Sequence, residues 1–204
     1  TVDFQNSFVE KGHKPFSIED LREIVAKMDE QITRILMPIF KAGKIPVLVG
    51  GGHNNAYPLI KSAALANEQA IQVLNFDAHA DYRNTKEGRH SGNSFSLASE
   101  QGFINHYAVV GLHRNYNSEE MLTRMTEQKV AQLFLEDLEP SPNRTSFIKH
   151  WIEVKLHSQY ALGLELDLDG IAGLQSSAKS PEGFSLGEIR NLVSYLGNKR
   201  RISY

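Results

Sequence analysis

The hydrophobic and polar positions in the first quarter of the chain repeat with the period of an α-helix. Ser17 and Asp20 have the spacing of a capping box, in which each side chain satisfies a backbone amide at the start of a helix. Apolar residues then recur at helical spacing, namely Leu21, Ile24, Val25, Met28, Ile32, Ile35 and Leu36. The pattern predicts an amphipathic helix of about 20–25 residues, which Pro38 kinks or ends and residues 42–44 close.

Farther along, short apolar runs alternate with helical patterns. The runs predict strands at residues 45–49, 71–74, 107–112, 132–135 and 160–166, and the start of another strand at 201–204. Helices are predicted near residues 57–65, 94–101, 118–129, 147–156 and 185–197. This alternation is typical of an α/β domain with a parallel sheet. No linker or repeat divides the chain, so we expect one domain over residues 1–204.

Three potential metal ligands follow the strand predicted at residues 71–74. Asp77, His79 and Asp81 are spaced by two, and in an extended segment this period places all three on one side. Ligands bind beyond the carboxyl ends of the strands in open sheets of this kind. A carboxylate–imidazole–carboxylate set at that position suits a hard or borderline divalent cation.

Two other segments add ligands at the same edge of the predicted sheet. His53 follows three glycines after the run at 45–49, and Asp167 and Asp169 follow the run at 160–166. Two imidazoles and four carboxylates are too many for one small cation and suit two. Without metal, the four carboxylates would repel one another and take up protons, so we expect the site to require metal. Two ions about 3.5–4 Å apart can activate a shared water for hydrolysis.

Composition narrows the metal and the partners. The 204 residues include no cysteine, so thiolate ligands are excluded. Oxygen-rich ligation favours Mn²⁺, with Zn²⁺ and Fe²⁺ as alternative metals. A net charge of −2 with interspersed signs gives no basic surface for nucleic acid or membrane. No apolar run approaches the roughly 20 residues of a membrane span, and no signal peptide is recognised. We therefore expect a cytoplasmic protein with a small-molecule substrate, with a homo-oligomer among the open options.

Four segments together resemble the signatures of the ureohydrolase family, which includes arginases, agmatinases and formimidoylglutamases. They come in the family's order and span nearly the whole chain: residues 50–53 (Gly-Gly-Gly-His), 77–81 (Asp-Ala-His-Ala-Asp), 90–92 (His-Ser-Gly) and 167–169 (Asp-Leu-Asp). The resemblance implies an arginase-like three-layer α/β/α fold, two Mn²⁺ ions per subunit, and hydrolysis of a guanidinium or amidine C–N bond.

The resemblance also implies a role for each of these ligands. One Mn²⁺ would be held by His53, Asp77, Asp81 and Asp167, and the other by His79, Asp77, Asp167 and Asp169, so that Asp77 and Asp167 bridge. His90 matches the family's catalytic histidine. A loop histidine with a pKa near neutrality can pass a proton to a leaving amine at working pH.

Within the family, the sequence is most similar to formimidoylglutamases, which carry an arginine two positions after the last ligand of the second signature. Arg83 stands there and would pair with a substrate carboxylate. Arginases place acids for the substrate's α-amino group near residues 111–118, and no acid lies between Gly111 and Ser118. We therefore expect a pocket with a cation and no evident anion. Asn93 and Asn115 are further candidates for substrate contact.

The chain also departs from the family pattern. Gly170 to Gly173 stand where arginases and agmatinases usually have Asp-Pro. The family usually has an opening strand, which we do not find in this sequence. It also has a substrate-orienting glutamate beyond the strand that begins at Ile202, and this glutamate is not found either. We therefore expect a partial chain. The leading interpretation is a formimidoylglutamase-like hydrolase in histidine breakdown. Its alternatives are an agmatinase-like or other guanidino-acid ureohydrolase, a one-zinc deacetylase, and a catalytically inactive metal-binding subunit. The presence of His53 and Asp81, which supply a second metal site, argues against the deacetylase.

Overall fold

A four-stranded parallel sheet forms the centre of the computed structural model, which describes residues 16–138 and 143–204. Its strands are β1 (Ile71–Phe76), β2 (Ile104–Leu112), β3 (Ala131–Phe134) and β4 (Leu162–Leu166). They lie in the order β3-β2-β1-β4. The chain thus passes outward from β1 through β2 to β3 and returns to the other side of β1 with β4. Ligands bind in the crevice where the strand order reverses in this way, here at the carboxyl ends of β1 and β4.

Helices cover both faces of the sheet and complete a three-layer α/β/α architecture, as predicted. Ile71 and Val73 of β1 pack on one face against a core that includes residues of four helices, and Leu74 and Phe76 pack on the other face against two. The first group is α1 (Ile18–Lys41), α2 (Ala56–Asn67), α3 (Ser94–Glu100) and α4 (Glu119–Glu127). The second group is α5 (Arg144–Lys155) and α6 (Leu186–Lys199). The alternation along β1 follows from the two-residue period of a strand.

Both predicted capping boxes are confirmed. Asp20 N donates to Ser17 Oγ at 3.1 Å, and Ser185 and Glu188 make the same reciprocal contacts at the start of α6. Helix α1 continues through Pro38 to Lys41. Pro38 lies so close to the end that its missing N–H interrupts only the last turn.

The strand predicted at residues 45–49 is wrong. This segment has no strand partner in the described part of the chain, and Val47 and Val49 are 82% and 90% exposed. Instead it borders a cavity of about 1340 Å³ that Leu164 and Leu166 of β4 also line. An apolar run indicates a strand only when a neighbour supplies hydrogen bonds, and the sequence does not say where that neighbour lies.

The last residues begin to add to the sheet, as predicted. Ile202 bridges Leu162 in parallel orientation, and Leu164 N donates to Tyr204 O at 3.2 Å. The Tyr204 ring lies against Gly163, where any Cβ would collide with it. The expected absence of an opening strand concerns residues 1–15, which lie outside the described residues. Within the described ranges, no helix has the length and hydropathy needed to cross a bilayer.

Candidate metal centre

The segment after β1 alternates between the core and the cavity, although β1 itself ends at Phe76. Ala78 and Ala80 are fully buried, whereas His79 and Asp81 are partly exposed and line the cavity. The two-residue period inferred from the sequence therefore holds without regular strand structure. Asp81 has a φ of +47°, in the left-handed region that aspartate tolerates better than most side chains.

Two buried side chains hold this segment in place. Asn117 accepts a hydrogen bond from Ala80 N at 2.8 Å and donates to Ala78 O at 3.0 Å. Tyr107 Oη donates to Ala80 O at 3.0 Å. The segment that carries three of the predicted ligands is thus fixed by partners from β2 and from the loop after it. Fixed ligands lower the reorganisation needed when a cation binds.

Four of the predicted ligands converge on one point. His53 Nδ1 lies 3.0 Å from Asp81 Oδ2, 3.1 Å from Asp167 Oδ2 and 3.3 Å from Asp77 Oδ2. These four ligand atoms all lie within 4.8 Å of one another. They come from the turn after Gly52, from the segment after β1 and from the end of β4. This set is the same as that predicted for the first Mn²⁺.

The electrostatics of this cluster fit a divalent cation. Burial lowers the pKa of His53, but the nearby carboxylates of Asp167, Asp77, Asp81 and Glu165 raise it, and the net pKa is well above its usual value. Burial also raises the pKa of Asp81. His53 lowers this pKa, whereas the charges of Asp77 and Asp167 raise it, and the net pKa is above the usual value. A proton on His53 thus offsets the carboxylates when no cation does. His53 Nδ1 has no hydrogen bond of normal geometry, so one imidazole nitrogen and three carboxylate oxygens are available as ligands.

The second predicted ligand set is only partly assembled. His79 Nδ1 lies 3.4 Å from Asp169 Oδ2 and 3.7 Å from Asp77 Oδ1. No ion pair joins Asp167 to His79 among the described residues; Asp167 Oδ2 faces His53, and its Oδ1 accepts a hydrogen bond from Asp169 N at 2.8 Å. Among residues 16–138 and 143–204, the four-residue cluster around His53 is the one group of three or more such ligands close enough for a common ion.

Hydrogen bonds from the following loop explain the position of Asp169. Its Oδ2 accepts from Ser177 Oγ at 2.7 Å, and its Oδ1 accepts from Ala178 N at 2.9 Å. Burial raises the pKa of Asp169, but these contacts and the charge of His79 lower it more, and the net pKa is below the usual value. The carboxylate is therefore ionised and held beside His79.

His90 lies on the wall of the same cavity as the cluster. Its Nδ1 accepts a hydrogen bond from Gly92 N at 3.1 Å, and its Nε2 faces Glu87 Oε2 at 3.3 Å. Burial and the charges of Arg83 and Arg22 lower the pKa of His90, while Glu87 raises it; the net pKa is below the usual value. The ring is thus anchored through Nδ1, and its buried Nε2 faces the Glu87 carboxylate.

The predicted substrate-binding residues occupy three different settings. Arg83 lines the cavity, is exposed, and packs across Gly92. Asn93 is buried, and its amide is engaged by the loop: Oδ1 accepts from His90 N at 3.1 Å and Nδ2 donates to Gly88 O at 2.7 Å. Asn115 is exposed and lies outside the cavity wall. Substrate contact by each of the three stays a prediction.

One premise drawn from the sequence is wrong. We expected a pocket with a cation and no evident anion, but Glu120 of α4 and Glu87 line the same cavity as Arg83. The segment between Gly111 and Ser118 does lack acids, and the next turn of the chain supplies one instead. The first turn of α4 turns back toward the cavity, which the sequence pattern could not show.

Sequence reasoning also missed three side chains of the centre. Tyr116 stacks on His79 with ring centroids 5.3 Å apart, and Asn117 holds the ligand segment as described above. Glu165 lies 3.6 Å from His53 Nε2. A signal for Glu165 was available, because it precedes Asp167 by two residues in β4 and so falls on the same side. Tyr116 and Asn117 carried no comparable signal.

Fold and site together define an α/β protein with a carboxylate–imidazole cluster that could hold a metal ion at the reversal of its strand order. The chain belongs to the arginase family, whose sequence pattern it matches over residues 3–203. It is similar to a formimidoylglutamase from Chromobacterium violaceum, with 26% identity over 173 residues that make up 82% of this chain and 54% of that protein. The chain spans about half the length of the curated relatives it matches.

Solved structures extend the similarity of fold. Trypanosoma cruzi formiminoglutamase with Mn²⁺ aligns with a TM-score of 0.75 at 14% identity, over 93% of this chain and 63% of that one. An arginase from Bacillus subtilis also aligns with a TM-score of 0.75, at 18% identity, over 94% of this chain and 71% of that one. Equal scores for two different enzymes mean that the fold does not separate their substrates.

Proposed function

We propose that the protein is a binuclear manganese hydrolase that cleaves the amidine C–N bond of N-formimidoyl-L-glutamate in the cytoplasm, as a step of histidine breakdown. The convergence of His53, Asp77, Asp81 and Asp167 on one point carries the proposal. Membership of the arginase family and similarity to proteins named formimidoylglutamase support it. The reaction adds water across the C–N bond: the oxygen ends on the carbon of formamide, one proton ends on the amine nitrogen of L-glutamate, and the other ends on the nitrogen of formamide.

The ligand residues divide between two ions in this proposal. His53, Asp77, Asp81 and Asp167 would hold the first, and His79, Asp169, Asp77 and Asp167 would hold the second. Two divalent ions would supply an activated water and stabilise developing negative charge. Sulfur-free, oxygen-rich ligands favour Mn²⁺, the ion in the T. cruzi formiminoglutamase structure. His53 must release its Nδ1 proton when an ion binds, so metal affinity rises with pH.

His90 is the group that passes a proton to the leaving amine. Its Nε2 is the unanchored nitrogen, and the ring lies on the wall of the cavity that the ligands also line. Glu87 Oε2, at 3.3 Å, stabilises the protonated ring. The pKa of His90 is held below the usual histidine value, which makes its imidazolium a stronger acid toward the leaving amine.

Arg83 selects substrates that carry a carboxylate. None of the ion pairs in the described part of the chain involves its guanidinium, so the group is available for bidentate pairing. Formimidoylglutamate offers two carboxylates. Agmatine carries an ammonium group instead, and Arg83 would repel it.

An agmatinase-like or other guanidino-acid ureohydrolase is the second candidate, and Glu120 is the observation that favours it. This acid lines the cavity and could pair with a substrate ammonium. The two candidates differ in product, because amidine hydrolysis releases formamide whereas guanidine hydrolysis releases urea. A catalytically inactive family member would bind metal and release neither.

A substrate screen with the Mn²⁺-loaded protein tests the proposal. Formimidoylglutamate, arginine, agmatine and guanidinobutyrate are supplied in parallel, and formamide, L-glutamate and urea are quantified. We expect equal amounts of formamide and L-glutamate from the first substrate and little urea from the others. Urea release that exceeds formamide release would transfer the assignment to the second candidate. Absence of all products in protein that retains Mn²⁺ would overturn both.

A further inference from the structure

We propose that Glu165 is a positioning residue of the metal centre, whose carboxylate accepts the Nε2–H of His53 and leaves Nδ1 unprotonated toward the cation. The proposal rests on the metal centre assigned above and adds a residue that is not one of its ligands. An imidazole ligand is commonly oriented by a carboxylate on its second nitrogen, which fixes the tautomer and raises the basicity of the ligand atom. In this chain, β4 supplies that carboxylate.

The two nitrogens of His53 face opposite ways. Nδ1 faces the three aspartates of the cluster, and Nε2 faces Glu165 Oε2 at 3.6 Å. Neither nitrogen has another hydrogen-bond partner among the described residues. The separation of 3.6 Å is longer than a hydrogen bond, and a shift of about 0.6 Å closes it. Glu165 lies beyond the far edge of the ring, so it does not share a cation with Nδ1.

Glu165 has no other cation to satisfy it. The side chain is 12% exposed and its Oε1 is buried without a hydrogen bond, and no lysine or arginine pairs with it in residues 16–138 and 143–204. Burying a carboxylate is costly unless it is paired or hydrogen-bonded. Among the described residues, the imidazole of His53 is the ion-pair partner of Glu165. This pair offsets the cost of burying the carboxylate.

Tyr204 lies on the side of β4 away from β1, since Leu164 N donates to Tyr204 O. Its Oη and Glu165 Oε1 are both buried without a hydrogen bond among the described residues. Burial, followed by the charge of Glu165, raises the pKa of Tyr204 well above its usual value, so the hydroxyl keeps its proton. Gly163 leaves room for the Tyr204 ring. The phenol therefore adds no charge beside Glu165.

The position of Glu165 is also rigid. It pairs in register with Asn75 of β1 across the parallel ladder. On its other side, Leu164 N donates to Tyr204 O. Orienting residues on strands hold ligand geometry better than residues on loops do. Glu165 therefore suits the task of fixing the angle of the His53 ring.

Manganese affinity of the intact protein tests the proposal without reference to turnover. Isothermal titration calorimetry with MnCl₂ compares wild type with Glu165→Leu and Glu165→Gln. We expect Glu165→Leu to weaken binding about 10–100-fold and Glu165→Gln, whose amide oxygen still accepts Nε2–H, to recover a large part of that loss. Glu120→Leu is the control, because it removes the same charge from the same cavity without a contact to His53. Circular dichroism of the metal-free variants verifies folding.

A double variant separates positioning from general electrostatics. If Glu165 acts through His53, adding Glu165→Leu to His53→Ala produces no further loss of Mn²⁺ affinity. Equal losses from Glu165→Leu and Glu120→Leu, or full additivity with His53→Ala, would overturn the proposal while leaving the metal centre intact. A wild-type protein that binds no Mn²⁺ would instead defeat the proposed function itself.

Discussion

The guanidinium of Arg89 lies 2.6 Å from the carboxylate of Asp29, and this buried pair ties the loop that carries His90 to helix α1. Arg89 also donates to the carbonyls of His90 and of Asn54, the residue after His53, and stacks on Tyr57 at 5.1 Å. One side chain therefore connects the proposed proton donor with the turn that presents a metal ligand.

Loss of Arg89 should destabilise the fold. Burial raises the pKa of Asp29 to about 6 although the charge of Arg89 lowers it, so at pH 8 the carboxylate is ionised. Arg89→Met leaves that charge buried and unpaired, and we expect a loss of about 3–5 kcal/mol in the free energy of unfolding in urea. Arg114→Met is the control, because its pair with Asp137 is half exposed and contributes about 0–1 kcal/mol. Equal losses in the two variants would contradict the account.

Asp77 should matter for both metal ions. Its Oδ2 faces His53 and its Oδ1 faces His79, so it is placed to bridge. We expect Asp77→Ala to lose both ions, and His79→Ala to weaken mainly one, as measured by inductively coupled plasma mass spectrometry after dialysis. If the Asp77→Ala variant retained one full equivalent of Mn²⁺ per chain, the bridging role of Asp77 would be refuted.

His90→Asn should separate chemistry from metal binding. The variant loses the ring that passes the proton, so turnover of formimidoylglutamate should fall by roughly 10²–10⁴. Its Mn²⁺ content should stay at the wild-type value, since His90 faces Glu87 rather than the aspartates. His150→Asn, on the exposed side of α5, is the matched control. A joint loss of metal and activity would mark His90 as a ligand or a structural residue.

Arg83→Ala should weaken the binding of substrates that carry a carboxylate. A desolvated arginine–carboxylate contact typically contributes about 2–5 kcal/mol when one partner is truncated. KM for formimidoylglutamate should therefore rise strongly while Mn²⁺ affinity is unchanged. Lys86→Ala removes an exposed cation of the same loop that does not line the cavity, and should leave KM as it is. Wild-type protein that uses agmatine as well as formimidoylglutamate would show that Arg83 does not select the substrate.

The clustering of candidate ligands around His53 could be predicted from the sequence because its signal is local. Asp77, His79 and Asp81 lie within five residues of each other, and parallel strands bring their carboxyl ends to one edge whatever the loops do. The environment of Arg89 could not be predicted in this way. Its partner Asp29 is 60 positions away and lies on a helix whose polar face looks like an ordinary solvated surface.

The error at residues 45–49 has a similar origin. Val47 and Val49 are as apolar as the residues of a buried strand, and composition cannot distinguish an apolar segment that has a strand beside it from one that borders a cavity. Glu120 enters the site through the path of α4, which a list of motifs does not contain.

Anomalous diffraction at the manganese edge, from crystals of the Mn²⁺-loaded protein, would locate each ion in the proposed centre. We expect two ions about 3.5–4 Å apart, one bound by His53 and Asp81, the other by His79 and Asp169, with Asp77 and Asp167 shared. A single ion bound only by Asp77, His79 and Asp167 would contradict this expectation.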